Sequence, residues 1–274
     1  MTTSPREAAE LLARHGLAPR RSLGQNFVVD ANTVRRIARL AGVGPGDRVI
    51  EIGAGLGALT AALAETGASV TAVEVDRGLV PVLAEQVAGR GVRIVEDDAR
   101  TLDWSHLLGD EGGWVLVANL PYNLATPLVA DLLDDVPVID RMLVMVQREV
   151  GERLAARPGS DAYGAVSVKV AYWATATVVG RVPPTVFLPR PKVESVLVAI
   201  TRRAEPAVGA AVDRTGLFAL VRAGFGQRRK MLRRSLAGLV TAADFDAAAI
   251  RPEARAEELA VEDWGRLAAV VQGR

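Results

Sequence analysis

The sequence predicts an α/β fold, a mainly parallel sheet flanked by helices, followed by a small C-terminal α-helical domain. Three observations predict it. Short β-branched runs alternate with Ala- and Leu-rich stretches at helical spacing over residues 47–140. A glycine-rich turn, EIGAGLG at residues 51–57, joins the first of these strands to the first of these helices. After residue 201 amphipathic stretches replace strands. Strand–helix alternation builds βαβ units, because each parallel crossover needs a helix.

Residues 47–52 (DRVIEI), 69–74 (SVTAVE), 92–96 (VRIVE), 114–118 (WVLVA) and 142–147 (MLVMVQ) read as five successive strands. Residues 58–65 and 79–88 read as helices between them. Residues 166–179 and 193–201 are apolar and rich in β-branched side chains, and read as a pair able to end the sheet in antiparallel fashion. Pro183, Pro184, Pro189 and Pro191 make the link between them an ordered loop. Residues 202–209 (RRAEPAVG) read as a linker, and helices are expected around 217–223, 231–239 and 261–271.

Composition bounds the function. Half of the 274 residues are hydrophobic, which excludes disorder as the overall state. No run of about 18 uncharged apolar residues predicts a membrane span. The N-terminal residues lack an apolar core, so no secretory signal is expected and the protein is placed in the cytoplasm. Without cysteine there is no disulfide, thiolate metal site or thiol nucleophile. His15 and His106 do not sit at metal-ligand spacing, so no metal site is expected. The formal net charge of +1 conceals a division. Residues 45–140 carry 5 basic and 16 acidic groups, while residues 1–44 carry 7 and 3 and residues 201–240 carry 9 and 2. An acidic centre between basic flanks suggests a polyanionic partner, although solvated helix faces give the same pattern.

The turn holds the chemistry. Gly53, Gly55 and Gly57 follow a strand and open a helix, where glycine permits a tight turn and close approach of backbone to a ligand. Glu74 ends the next strand, 21 residues after Gly53, a spacing suited to a carboxylate that accepts both ribose hydroxyls. Gly53, Gly55 and Ala58 also satisfy a dinucleotide fingerprint. Glu51, however, would repel a pyrophosphate and suits a sulfonium with an amino-acid tail. Asp98, after the third strand, is either an acceptor for an adenine amine or a helix cap.

Asn119, Leu120, Pro121 and Tyr122 follow the fourth strand. Ligands of open α/β sheets bind at strand carboxyl ends. The exocyclic amine of a base is a poor nucleophile because its lone pair is conjugated into the ring. Acceptors on its two hydrogens, the Asn119 side-chain oxygen and the Leu120 carbonyl oriented by Pro121, favour a pyramidal nitrogen. Tyr122 offers a stacking face, worth about 1–3 kcal/mol per base. A bare Asn-x-Pro-Tyr also reads as a strand-to-turn junction; the glycine loop in the same sheet favours the catalytic reading. Phe187 is a second stacking face or a core residue, and only 12 residues of the chain are aromatic.

These blocks resemble the bacterial small-subunit (16S) ribosomal RNA adenine N6,N6-dimethyltransferases of the KsgA type. The resemblance runs from about residue 20 to 240. It is carried by LGQNFVVD (23–30), EIGAGLGALT (51–60), VEVDRGL (73–79), EDDA (96–99), NLPYNLATPL (119–128), QREVGERLAARPGSDAYGAVSV (147–168), VPPTVFLPRPKVESV (182–196) and GFGQRRKMLRRSL (224–236). Ala54 stands where proline is common, Val28 where leucine is frequent and Gly226 where asparagine is usual.

The resemblance implies a Rossmann-like class I methyltransferase sheet of seven strands, the last antiparallel. It divides the chain into a donor-lid and RNA-contacting segment (1–44), a methyltransferase domain (45–201) and a helical RNA-binding domain (202–274). It implies S-adenosylmethionine as methyl donor, with Asn26, Val28, Gly53, Glu74, Asp98 and Asn119 at donor-contacting positions and Gln25 beside them; Gln25 and Asn26 also read as an N-terminal turn. The implied substrate is two adjacent adenosines in the hairpin loop near the 3′ end of 16S ribosomal RNA, in an immature small subunit, modified by a monomer during subunit maturation. Arg228, Arg229, Lys230, Arg233 and Arg234 form a basic strip without nearby acids in sequence, which reads as an RNA contact. On one helix Arg229 would share a face with Arg233, and Lys230 with Arg234; Arg20 and Arg21 extend the charge. A large-subunit (Erm-type) adenine dimethyltransferase shares the donor and target motifs, but the AYGAVSV block (162–168), the PKVES block (191–195) and the GQRRK segment favour the small-subunit enzymes. A non-catalytic RNA-binding factor would not need both motifs intact.

Overall fold

The computed structural model describes residues 4–121 and 124–274. In chain order the elements are α1 (Pro5–Arg14), β1 (Phe27–Val28), α2 (Ala31–Ala41), β2 (Arg48–Ile52), α3 (Ala58–Ala64), β3 (Ser69–Glu74), α4 (Val80–Gln86), β4 (Arg93–Glu96), α5 (Trp104–Leu108), β5 (Trp114–Asn119), α6 (Ala125–Asp135), β6 (Ile139–Gln147) and α7 (Arg148–Leu154). There follow α8 (Ala165–Trp173), β7 (Ala174–Val182), β8 (Phe187–Leu188), β9 (Ser195–Arg202), α9 (Arg214–Gly226), α10 (Leu232–Ser235), α11 (Ala242–Ala247) and α12 (Val261–Gln272). No helix of the described residues is long and apolar enough to cross a membrane.

The chain forms two compact units, Met1–Gly151 with Thr177–Thr201, and Glu152–Ala176 with Arg202–Arg274. In the first, seven strands are ordered β4-β3-β2-β5-β6-β9-β7. β2 pairs in parallel with β3 and β5, β3 with β4, and β5 with β6. The last strand in sequence, β9, runs antiparallel to β6. The central strands are apolar on both faces because helices cover both; Val49, Ile50, Leu116, Val117 and Val144 are buried. α2 buries Val34, Ile37, Ala38 and Ala41, the i, i+3, i+4, i+7 stripe of an amphipathic helix. Asp30 caps its start by accepting from the Thr33 amide at 2.7 Å, and Gly42, at φ 61°, ends it.

Lateral register aligns the site. Ile52 of β2 sits opposite Val73 of β3 and Ala118 of β5. Gly53, Glu74 and Asn119 are each the next residue, so three functional groups emerge side by side at one sheet edge.

The second unit is helical and corrects two expectations. Residues 166–173 belong to helix α8, and only the following residues form the strand β7. The β-branched pattern is overridden because Val168, Val170 and Tyr172 of α8 are buried on one element, with the Tyr172 ring 5.4 Å from that of Phe218 in α9. The boundary also moves: Glu152–Ala176 packs with the C-terminal helices, where a division at residue 201 had assigned it to the sheet. Trp264 of α12 centres this core beside Phe245, Leu217 and Leu267.

Gly224 permits close packing of α9 on α12. A Cβ there would lie 2.6 Å from Trp264 Cη2 and 3.4 Å from Ala256 Cβ. Gly224→Ala is expected to destabilise the helical unit by roughly 1–3 kcal/mol through overpacking. A thermal midpoint unchanged from wild type would contradict this contact.

Candidate active site

The loop after β2 is shaped by glycine. Gly53, Gly55 and Gly57 all have positive φ, at 73°, 57° and 75°. Gly55 also lies under the ring of Phe27, where a Cβ would come 3.0 Å from Cδ1. Its amide donates to Glu74 Oε2 at 2.7 Å, while Glu74 Oε1 accepts from the Asp76 amide at 2.9 Å. Glu74 is 4% exposed, and each carboxylate oxygen retains capacity to accept a ligand hydroxyl. Burial raises its pKa against the opposing effect of the Asp76 and Gly55 amides.

Residues 23–28 cover this loop as a lid. β1 pairs antiparallel with β8, Phe27 opposite Leu188 and Val28 opposite Phe187, and the Val29 amide donates to the Val186 carbonyl at 2.8 Å. Gln25 donates to Asp76 Oδ2 at 2.8 Å and accepts from the Arg20 amide at 2.8 Å; Arg20 also pairs with Asp76 at 3.1 Å. The nitrogen of the Gln25 amide therefore latches the lid to Asp76 beyond β3, and its oxygen holds the Arg20 backbone. Asn119 Nδ2 donates to the Asn26 carbonyl at 2.9 Å. A carbonyl only accepts, so this bond fixes the amide orientation and leaves Asn119 Oδ1 as an acceptor. The Leu120 amide donates to the Met145 carbonyl at 3.0 Å, and among the described residues nothing donates to the Leu120 carbonyl. The Pro121 carbonyl accepts from the Leu124 and Ala125 amides, starting α6.

Two adjoining cavities, of about 70 and 30 Å³, share Phe27, Gly53, Gly55 and Asn119. Gln25, Asn26, Glu74, Leu120 and Pro121 line the first; Val28 and Glu51 line the second. Ligand sites usually span about 300–1,000 Å³. Both cavities fall below that range with residues 23–28 in this position.

Glu51 is 2% exposed, and its Oε2 has no hydrogen-bond partner. Burial pushes its pKa up to about 8; the nearby Thr60 hydroxyl offsets part of the rise, without reaching hydrogen-bond geometry, and the charge of Glu74 adds to it. The site thus holds a buried acid that a cation would ionise.

Several expected residues are placed otherwise. Asp98 does not line the cleft with the others: both its oxygens face Arg100, whose guanidinium approaches to 2.5 Å and holds its pKa below the usual range. Nor does Asp98 cap a helix, since Asp103 caps α5. Phe187 is 3% exposed and packs with Val28 and Val34, so it anchors the lid strand instead of presenting a stacking face. Tyr122 lies outside the described residues. Missed in sequence were Asp76, 4% exposed and the hub of the lid latch, and Val75, which lines the cleft at 47% exposure. Both stand beside Glu74 in VEVD, and an acid two residues beyond a strand-end acid was the available signal.

The basic strip is not one helix. Arg228, Arg229 and Lys230 occupy a turn between α9 and α10, so the shared helical faces are not formed. The acids missing in sequence come from further along the chain: Arg228 pairs with Glu257 at 2.6 Å and donates to the Asp161 carbonyl, and Arg233 pairs with Glu253 at 3.2 Å. Arg229, Lys230 and Arg234 are exposed and have no ion-pair partner among the described residues.

Sheet order, glycine loop and strand-end carboxylate define a Rossmann-like protein of the methyltransferase type. The model of the ribosomal RNA adenine dimethylase family matches residues 16–272. Relatives called ribosomal RNA small subunit methyltransferase A are 48% identical in Kineococcus radiotolerans (97% of this chain, 90% of the relative) and 46% in Streptomyces avermitilis (96% and 92%). A third, from Moorella thermoacetica, is 44% identical (98% of each). The crystal structure of the 23S rRNA methyltransferase ErmE is 27% identical with a TM-score of 0.71, covering 90% of this chain and 99% of its own. A dimethyladenosine transferase from Plasmodium falciparum, 23% identical with a TM-score of 0.74 over 86% and 94%, shares the fold. The chain belongs to the ribosomal RNA adenine dimethylase family, a family of methyltransferases.

The buried acid has a measurable consequence. Its folded pKa lies above the ordinary 4.5, so the folded state holds the proton more tightly, and stability falls as pH rises from about 4.5 to 8. Glu51→Gln is expected to abolish this slope, with the variant's advantage growing with pH toward an upper bound on the order of 5 kcal/mol. Parallel pH profiles in denaturant titrations would overturn the assignment of Glu51 as a buried neutral acid.

Proposed function

We propose that the protein transfers methyl groups from S-adenosylmethionine to the N6 amines of two adjacent adenosines in the 3′-terminal hairpin loop of 16S ribosomal RNA. It acts as a cytoplasmic monomer on the immature small subunit, during maturation. The observation that carries this reading is the lateral alignment of Gly53, Glu74 and Asn119, with the Asn119 amide held so that its oxygen is the open acceptor.

The residues present fit the donor. Glu74 offers two carboxylate oxygens to ribose hydroxyls, Val75 an apolar surface to a purine, and Gly53 and Gly55 backbone without side chains. Glu51 Oε2, an orphaned buried acceptor, suits a cationic amino-acid tail. Asn26 and Val28 contribute as lid backbone, and Asp98 as acceptor for the adenine amine, using lone pairs that Arg100 leaves over. S-adenosylmethionine supplies a methyl group already activated by a sulfonium, so the amine needs no strong base.

What the chain adds is alignment. Asn119 Oδ1 and the Leu120 carbonyl accept the two amine hydrogens, which localises the nitrogen lone pair. The rigid Pro121 and the start of α6 hold that carbonyl in place. A target base has to leave its stack to reach this edge. Arg229, Lys230 and Arg234 hold RNA phosphates, while Arg228 and Arg233 brace the turn that presents them. Small-subunit RNA is favoured over large-subunit RNA because relatives named for the small subunit are 44–48% identical, against 27% for ErmE.

Asn119→Ala is expected to lower methyl transfer at least about 100-fold through lost alignment, with RNA affinity nearly unchanged. Radiolabelled donor with immature small subunits measures it, and full activity would remove Asn119 from the mechanism. In the same assay, modification of large-subunit precursors alone would reverse the choice of substrate. Neutralising Arg229, Lys230 and Arg234 together is expected to reduce the slope of log affinity against log salt by roughly 2. Neutralising Arg228 is expected to affect chiefly stability; a wild-type slope in the triple variant would show that these cations face away from RNA.

A further inference from the structure

A second groove in the sheet unit lies apart from the donor cleft. It lies between α2 and α3 and holds about 630 Å³. Its floor is Ala38, Val43 and Ala62, and one rim is formed by Arg35 and Arg39. These arginines are four residues apart on α2, so they share a face, about 6 Å apart along the axis. Both are exposed, and neither has an ion-pair partner among the described residues. Glu65, the acid at the groove, is engaged by Arg90 at 3.3 Å. Asp30, the one acid flanking α2, is occupied by the helix cap. Arg36 on the next face donates to the Arg181 carbonyl, and Arg141 donates to the carbonyl of Ala41 at the far end of the helix. The surface is therefore positive with no free acid, and this is much of the basic excess of residues 1–44 that the donor site leaves unused.

We propose that the groove between α2 and α3 is an RNA-backbone site, in which Arg35 and Arg39 hold phosphates of the same ribosomal RNA whose adenine is presented to Asn119. The guanidinium fork matches phosphate oxygens in bidentate fashion. The floor carries no aromatic or large aliphatic anchor, which a protein partner would require for a tight interface. The groove also belongs to the same unit as the lid, and only two residues separate β1 from the start of α2. The proposal rests on RNA being the substrate, and its test separates the two.

An Arg35→Gln/Arg39→Gln variant and an Arg35→Lys/Arg39→Lys variant are compared with wild type. The probes are deproteinised small-subunit ribosomal RNA and immature small subunits, over a salt series. Donor affinity and the thermal midpoint are measured in parallel. The glutamine variant is expected to lose about 1.4 from the salt slope on both probes, at about 0.7 for each single-stranded contact. Its RNA affinity should fall several-fold while donor affinity and midpoint stay at wild-type values. The lysine variant should keep the slope. An unchanged slope and affinity in the glutamine variant, with wild type methylating normally, overturns the groove and leaves the proposed function standing. Weakened binding to particles with undiminished binding to deproteinised RNA also overturns it, because the groove then meets a ribosomal protein. If wild type binds RNA yet methylates neither probe, the proposed function fails, while a reduced slope in the glutamine variant still supports the groove.

Discussion

The carboxylate of Glu74 is the joint on which the sheet edge depends. It ties the glycine loop to the end of β3 by accepting from Gly55, and shapes the following turn by accepting from Asp76. Asp76 in turn receives Gln25 and Arg20, which places the lid, and the lid carbonyl of Asn26 orients Asn119. Hydrogen bonds to charged groups contribute about 1.5–3 kcal/mol each, and an unsatisfied buried one costs more. The bonds form one connected path from loop to lid to Asn119. A change at Glu74 therefore reaches Asn119 without touching it.

Three acids, Glu51, Glu74 and Asp76, are buried at this edge, and they are treated differently. Asp76 has a guanidinium and Glu74 has backbone amides, whereas Glu51 has an oxygen with no donor. Burying an uncompensated carboxylate is unfavourable, and this raises the pKa of Glu51. A positively charged ligand would supply that compensation. Phe27 seated on Gly55 narrows the space beneath residues 23–28.

The basic flanks divide by what surrounds them. In the helical unit, Glu253 and Glu257 neutralise Arg233 and Arg228, leaving a smaller set of free cations than the sequence strip suggests. In the sheet unit, α2 keeps Arg35 and Arg39 unpaired because its nearest acids cap a helix or serve Arg90. An overall charge near neutrality is thus compatible with strongly positive local surfaces.

By itself the sequence determined the α/β order, the glycine loop, Glu74 and the Asn-Leu-Pro block. These depend on hydrophobic period and on residue types whose backbone freedom or side-chain chemistry acts locally. The basis for the family was equally legible, since its motifs are contiguous. Tertiary structure decided what depends on residues far apart in the chain. Phe187 became an anchor because β8 pairs with β1. Residues 166–173 became a helix that puts Val168 and Tyr172, four residues apart, into the core of the helical unit. Asp76 gained its role only when the lid reached it across about fifty residues of chain. Local periodicity carries no information about such partners, because burial and pairing are set by which surfaces meet.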